Sequence, residues 1–253
     1  MKVEVLVATM DQLDHSLLKK MNIQSDAIIT NQCNRNEVET IKYNTHDIRY
    51  YSFREKGVGL NRNNALMRAK GDISIFADDD LVYVDNYAEI IKKQFLENPT
   101  ADVIIFNLIE EKPKRYIIKE KFNVGYLNYM RFGAARIAVK TRSITKNGIF
   151  FNLHFGGGTE HSAGEDVLFL TDCLKKKLNI IAVPVPIAYH IYQTHVNQLG
   201  LKVIQKSILK IKVFYIIKFQ ENGLIYYVCN FVLGKGKEKE KCCLVKTRVL
   251  LKH

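Results

Sequence analysis

The chain has 253 residues, 47% of them hydrophobic, and a formal net charge of +12. That length suits one large domain, or one domain with an appendage, and the apolar content fills a real core. Five cysteines (Cys33, Cys173, Cys229, Cys242 and Cys243) form no C-x-x-C pair, which excludes a legible disulfide framework or zinc site and favours a reducing compartment.

In chain order, Val3–Ala8 reads as a strand, Ser16–Met21 as a short helix, and Ala27–Thr30 and Ile48–Phe53 as strands. The first strand has no long apolar signal core around it, so secretion is not expected. A helix over Leu60–Ala69 leads through Gly71 into a buried strand, Ile73–Ala77. Next comes Asp85–Glu97, a helix that Asp85 can cap, with Tyr87, Ile90, Ile91 and Phe95 on one face, stopped by Pro99. Asp102–Ile109 reads as a strand, Glu110–Lys121 as a charged, exposed segment, and Gly133–Val139 as a small-residue strand. Val167–Lys177 reads as a helix and Asn179–Val183 as a last strand before Pro184 and Pro186. The alternation predicts an α/β domain, a Rossmann-like, mixed but mostly parallel sheet flanked by helices, with ligands at the strand C-termini.

The charge is uneven. Residues 196–253 carry twelve Lys and Arg against three Glu, a net of +9, which leaves +3 for residues 1–195. We therefore divide the chain into a domain over 1–195 and a basic extension over 196–253. In the extension, Leu201, Ile204, Ile208, Ile211 and Tyr215 fall on one helical stripe, opposite Lys202, Lys206 and Lys210. A basic amphipathic helix suits an interface with anionic lipid. The alternative is that this apolar face packs on the domain or on a second copy, and the residues leave the oligomeric state, a homodimer included, open. Lys218, Glu221 and Asn222 interrupt Val213–Leu233, so the expected placement is on a membrane rather than across it. Gly234–Lys241 (GKGKEKEK) reads as a solvated loop. The tail holds no nucleic-acid motif, and nucleic acid is not an expected partner.

Asp78-Asp79-Asp80, at the end of the Ile73–Ala77 strand, is the most informative triplet. Three adjacent carboxylates repel one another. Hard oxygen donors at that spacing suit Mg²⁺ or Mn²⁺ holding a phosphate, and they equally suit a solvated acidic turn. Upstream stands Lys56-Gly57-Val58-Gly59-Leu60-Asn61-Arg62-Asn63-Asn64. Downstream stand Gly156-Gly157-Gly158-Thr159-Glu160 and Gly164-Glu165-Asp166.

Together these segments resemble the family-2 glycosyltransferases over roughly residues 1 to 190. The resemblance implies a GT-A fold, a nucleotide-diphosphate sugar donor and a divalent ion, Mn²⁺ or Mg²⁺. Asp78 and Asp80 match the family's Asp-x-Asp motif. That makes Asp80 the metal ligand and sets Asp78 near the ribose, the sugar or the metal. Asp79 is a further candidate on the donor side; because it points the other way on an extended chain, the alternative is a hydrogen bond within the fold. Arg62-Asn63 matches the family's Arg-Asn pair and makes Arg62 a phosphate or base contact. Thr9, Asp11, Asn31 and Gln32, at the ends of the first two strands, are candidates for the nucleotide, although Asp is frequent where Asn31-Gln32 stands. Asp166 is the candidate general base, with Glu165 beside it and Glu160 as a rival. His190, with His195 as its rival, is the candidate to complete the metal shell or hold the diphosphate. The Gly156–Gly158 run is a candidate closing loop.

The expected activity is inverting transfer of a sugar to a hydroxyl of a glycan or lipid-linked acceptor. It would occur at the inner face of a cell membrane, as in bacterial surface or capsular polysaccharide synthesis. Two rivals are a non-catalytic nucleotide- or sugar-binding relative in an assembly, and a nucleotidyltransferase. The second should show a glycine-rich phosphate loop near the N-terminus, and Val5–Asp14 contains no glycine.

Overall fold

The computed structural model describes residues 1–111, 113 and 115–191, together with 215–221, 224–230 and 244–245. Two units are present, Met1–Tyr192 and Gln193–His253. The first runs β1 (Val3–Met10), α1 (Ser16–Lys20), β2 (Asp26–Gln32), β3 (Glu37–Tyr43), β4 (His46–Phe53), α2 (Val58–Leu66), β5 (Ile73–Asp78) and β6 (Leu81–Tyr83). It continues α3 (Tyr87–Glu97), β7 (Val103–Ile109), β8 (Phe122–Asn123), β9 (Ile137–Lys140), α4 (Thr141–Lys146), α5 (Glu165–Lys175) and β10 (Ile180–His190).

The strands form one sheet in the order β3-β4-β2-β1-β5-β9-β7-β10-β6, with β8 paired to β10. The β4-β2-β1-β5 block is parallel, and its inner strands are buried nearly end to end, as sheets covered on both faces require. Beyond it the sheet is mixed, as expected, because β9 inserts antiparallel between β5 and β7. β3, a hairpin partner of β4, has an exposed face and was not expected. The expected strand from Gly133 begins only at Ile137, after a 3-10 turn at Ala134–Arg136.

Register fixes the site. Ala8 lies opposite Asp78, Thr9 opposite Asn31, and Met10 opposite Gln32, so β1, β2 and β5 end on one edge. β10 runs on past both prolines, with register shifts between Ala182, Pro186 and Ala188. A proline gives the ladder no donor, so the strand bulges there instead of stopping. Its last residues then pair antiparallel with β6, His190 opposite Leu81.

Beneath the edge, Phe76 of β5 meets Phe151 and Phe169 edge-on, at 5.0 and 5.3 Å between centroids, and Phe151 stacks on Phe169 at 4.4 Å. This trio joins β5, the segment before the glycine loop, and α5 in one apolar block. Burying each ring is worth about 1.5–3 kcal/mol. Asp85 does not cap α3. The residue before that helix is Asn86, in the left-handed region at φ 59°, while Asp85 accepts hydrogen bonds from Asn22 and Gln24.

In the second unit, β11 (Tyr215–Glu221), β12 (Leu224–Asn230) and β13 (Leu244–Val245) form an antiparallel sheet. The described part of the extension is therefore strand, where a helix was expected. β-branched and aromatic residues crowd 215–230, and Asn222-Gly223 between the strands is a strong hairpin signal in sequence. The Leu201–Ile211 stripe lies outside the described residues, as does His195. No described helix is long and apolar enough to cross a membrane.

Candidate active site

α2 is polar yet buried, with Asn61, Arg62, Asn63 and Asn64 all inside. Such a helix is stable only if its polar groups find partners. Asn61 donates to the Thr9 carbonyl at 3.0 Å. Asn63 exchanges two 2.8 Å hydrogen bonds with the Phe151 backbone. Gly57, at φ +122°, turns the chain into the helix, and its N–H donates to the Gln32 side chain at 2.7 Å.

Arg62 is the hub. One terminal nitrogen donates to Asp78 at 2.7 Å; the other donates to Glu165 at 2.9 Å and to Asp166 at 3.1 Å. Its carbon lies 5.4 Å from the centre of the Phe151 ring. Burial opposes its charge, but Asp78, Asp166 and Glu165 together hold its pKa above the ordinary arginine value. A phosphate or base contact was expected; within the chain both terminal nitrogens face carboxylates, while Nε has no hydrogen-bond partner among the described residues.

Asp166 stands in the first turn of α5 with a side chain 25% exposed. Burial pushes its carboxyl up to about 7, helped by Glu165 and Asp78 and opposed by Arg62 and a backbone hydrogen bond from Ala134. A carboxylate tuned there is suited to take a proton near neutrality. Glu165 is buried behind it against Gly156, where a Cβ would lie 2.9 Å from the Glu165 carboxyl carbon. Glu160 is exposed. The glycine loop is well tied, for the single Thr159 hydroxyl proton is shared among the His154, Gly156 and His161 carbonyls, with Gly156 the nearest at 2.8 Å.

Asp80 faces His190, with Oδ2 3.0 Å from Nε2. The Ile191 N–H also donates to the Asp80 carbonyl at 2.9 Å. Burial raises the Asp80 carboxyl; His190 and Arg115 pull it down, while Asp78 and Asp79 push it further up. Asp80 Oδ1 is buried and has no hydrogen-bond partner among the described residues. That atom is an oxygen donor that fits a divalent ion, and the imidazole stands beside it. Asp78 Oδ1 is held by Arg62 instead. Among the described residues no three His, Cys, Asp or Glu side chains gather tightly enough to hold a metal unaided.

Asp79 accepts a 2.5 Å hydrogen bond from Thr9 Oγ1, which ties β1 to the triplet. Asn31 exchanges two 3.0 Å hydrogen bonds with the Gln12 backbone. The Gln32 carbonyl receives the Asp11 N–H at 2.9 Å, and Asp11 is exposed at φ 53°. Thr9, Asn31 and Gln32 thus spend their side chains on shaping the loops, where direct readout of a nucleotide was expected. Beside them a cleft of about 470 Å³ is lined by residues that include Gln12, His15, Asn31, Arg35 and Tyr50.

The family model for glycosyl transferase family 2 matches residues 9–160. The chain belongs to glycosyl transferase family 2. No curated protein matches it. Among solved structures, S. aureus TarS is similar at TM-score 0.58 and 18% identity, over 84% of this chain and 40% of that one. S. aureus TarS 1–349 in complex with UDP is similar at 0.57 and 18%, over 84% and 67%. Its complex with UDP-GlcNAc is similar at 0.59 and 17%, over 84% and 68%. At these identities the likeness is one of fold, and it agrees with the expected GT-A architecture.

In this family-2 glycosyltransferase the sequence reading missed two groups. Glu110, expected to be exposed, has a side chain only 3% exposed and is ion-paired with Arg115. Arg115 in turn lies 3.1 Å from His190 Nε2. Asn107 holds the segment in place through two hydrogen bonds with the Ile118 backbone. The available signal was position, because Glu110 directly follows the C-terminal end of β7, where α/β sheets place ligand-facing groups.

Proposed function

We propose that the chain transfers a sugar from a nucleotide-diphosphate donor to a hydroxyl of a glycan or lipid-linked acceptor, with inversion. One observation carries this reading: Asp166, poised near neutrality, shares Arg62 with Asp78 at the ligand edge of the sheet. Asp166 takes the acceptor proton. The acceptor oxygen bonds to the anomeric carbon as the bond to the diphosphate breaks, and a single displacement inverts that centre. Asp80 and His190 would hold Mn²⁺ or Mg²⁺. Two protein donors suffice where substrate phosphates and water complete the shell. Such an ion neutralises charge on the leaving diphosphate.

The TarS complexes with UDP and UDP-GlcNAc make uridine-diphosphate sugars the first donors to try. The reading extends to location: the +9 of residues 196–253 supports peripheral attachment to an anionic membrane, where a lipid-linked acceptor would be found.

The test is release of nucleoside diphosphate from a panel of nucleotide-sugars, with Mn²⁺, with Mg²⁺ and with chelator. We expect slow metal-dependent hydrolysis of one donor, abolished in Asp166→Asn. A donor that binds but is never consumed, under any acceptor mixture, would indicate a binding relative instead.

A further inference from the structure

Arg62 holds three carboxylates from two elements with one buried guanidinium. A surface ion pair would be worth little. Here the cation is 4% exposed, lies over the Phe151 ring, and meets Asp78 and Asp166 on different nitrogens. Asp78 ends β5 and Asp166 lies in the first turn of α5, so these are groups that secondary structure alone would not bring together.

We propose that Arg62 is the positioning residue of Asp166, holding the carboxylate ionised and aimed while tying it through the same planar fork to Asp78. The proposal rests on the reading of Asp166 as the base. The groups facing Asp166 are Arg62 from α2, Glu165 beside it on α5, Asp78 from β5, and the Ala134 N–H from the turn before β9. The Gly133 backbone also closes on it, since a Cβ there would lie 3.3 Å from Asp166 Oδ2. Arg62 is the only cation in that set. Glu165 competes for the same nitrogen and adds repulsion. The balance between the two sets the fraction of Asp166 free to accept a proton.

The arrangement also gives the donor-side carboxylate a line to the base. Any group that draws Asp78 away from Arg62 leaves more of the cation for Asp166. Lysine could supply the charge but not the fork that spans both sites.

The experiment reads the Asp166 titration without turnover. Carboxyl ¹³C NMR of Asp-labelled full-length protein is followed from acid to alkaline pH, with the Asp166 signal assigned by its loss in Asp166→Asn. Wild type should titrate near the value of about 7 argued above. Arg62→Gln should move the midpoint up by about one unit or more, as expected on losing an opposite charge at this range. Arg62→Lys should keep most of the wild-type midpoint. Glu165→Gln, which conserves shape and serves if Arg62→Gln does not fold, should move the midpoint down. With a donor and acceptor in hand, Arg62→Gln should lose rate at neutral pH and regain it in alkali. A midpoint that moves in neither variant overturns the proposal, and so does a rate loss equal at every pH. Failure to find any substrate would count against the transferase reading alone, because the titration would still decide the role of Arg62.

Discussion

His190 Nε2 lies 3.0 Å from Asp80 Oδ2 because β6 runs antiparallel to the end of β10 and sets His190 opposite Leu81. The contact joins the acidic triplet to the last strand of the domain. It also explains why Asp80, rather than Asp78 or Asp79, faces the imidazole: Asp78 is held by Arg62 and Asp79 by Thr9.

Asp80→Asn is expected to weaken metal-dependent nucleotide binding by at least about tenfold, on the scale of a disturbed metal site. It should leave metal-free binding and the fold unchanged. Calorimetry with a nucleoside diphosphate, with and without Mn²⁺, reads the difference. Equal affinity in mutant and wild type would remove Asp80 from the metal site.

Asp166→Asn should lower kcat by about 10²–10⁴-fold while nucleotide affinity stays within about twofold, as loss of a base rather than of a binding contact requires. In wild type, kcat should climb about tenfold per pH unit below the Asp166 midpoint near 7 and level off above it. Steady-state rates from pH 5 to 9 give the profile. Near-normal transfer by the mutant would shift the base role to Glu165 or Glu160.

Stability should show the reverse sign. The folded-state value of about 7 stands above the ordinary aspartate value of 3.8, so the folded protein binds the extra proton between these limits. The stability tied to that proton is fully present below the lower value and is lost as pH rises through the upper one. Asp166→Asn removes the late ionisation and still leaves Arg62 with Asp78 and Glu165. Its Tm should exceed wild type at pH 8 and match it near pH 4, by roughly 2–4 °C per kcal/mol recovered. Thermal melts at the two pH values check this, and equal melts at pH 8 would rule out strain at Asp166.

Gly156→Ala should destabilise the domain and cost activity together. The residue sits at φ +102°, and a Cβ would fall 2.5 Å from Val58 Cγ1 and 2.9 Å from the Glu165 carboxyl. Left-handed backbone on an L-residue costs about 1–3 kcal/mol before that clash is counted. Gly157→Ala, which meets nothing within 4 Å, is the paired control, and similar melts for the two would refute the packing argument.

The full chain should co-sediment with anionic vesicles at low salt, and a chain ending at Val196 should not. Each Lys or Arg near such a surface contributes about 1 kcal/mol, screened by salt. A full chain that stays in the supernatant, or a truncation that unfolds, would make the extension a packing element.

The primary sequence by itself determined the parallel block and the order of the site. The apolar runs of β1, β2 and β5 can be buried only as inner strands, and Asp78-Asp79-Asp80 and Glu165-Asp166 mark the turns where strand and helix meet the ligand edge. The tertiary structure alone decided which side chains meet. Arg62 has the pattern of a helix residue beside a nucleotide. It serves three carboxylates because α2 is buried between β1 and the Phe151 segment, a placement that local pattern does not encode. Glu110 and Arg115 looked like solvated charges until the Asn107 and Ile118 pairing folded their segment back over His190. Asn222-Gly223 was legible as a hairpin signal, yet the periodicity of the preceding segment favoured a helix. Local preference fixes where a chain turns; register and burial, set by residues far apart in sequence, fix which charges must share one cation.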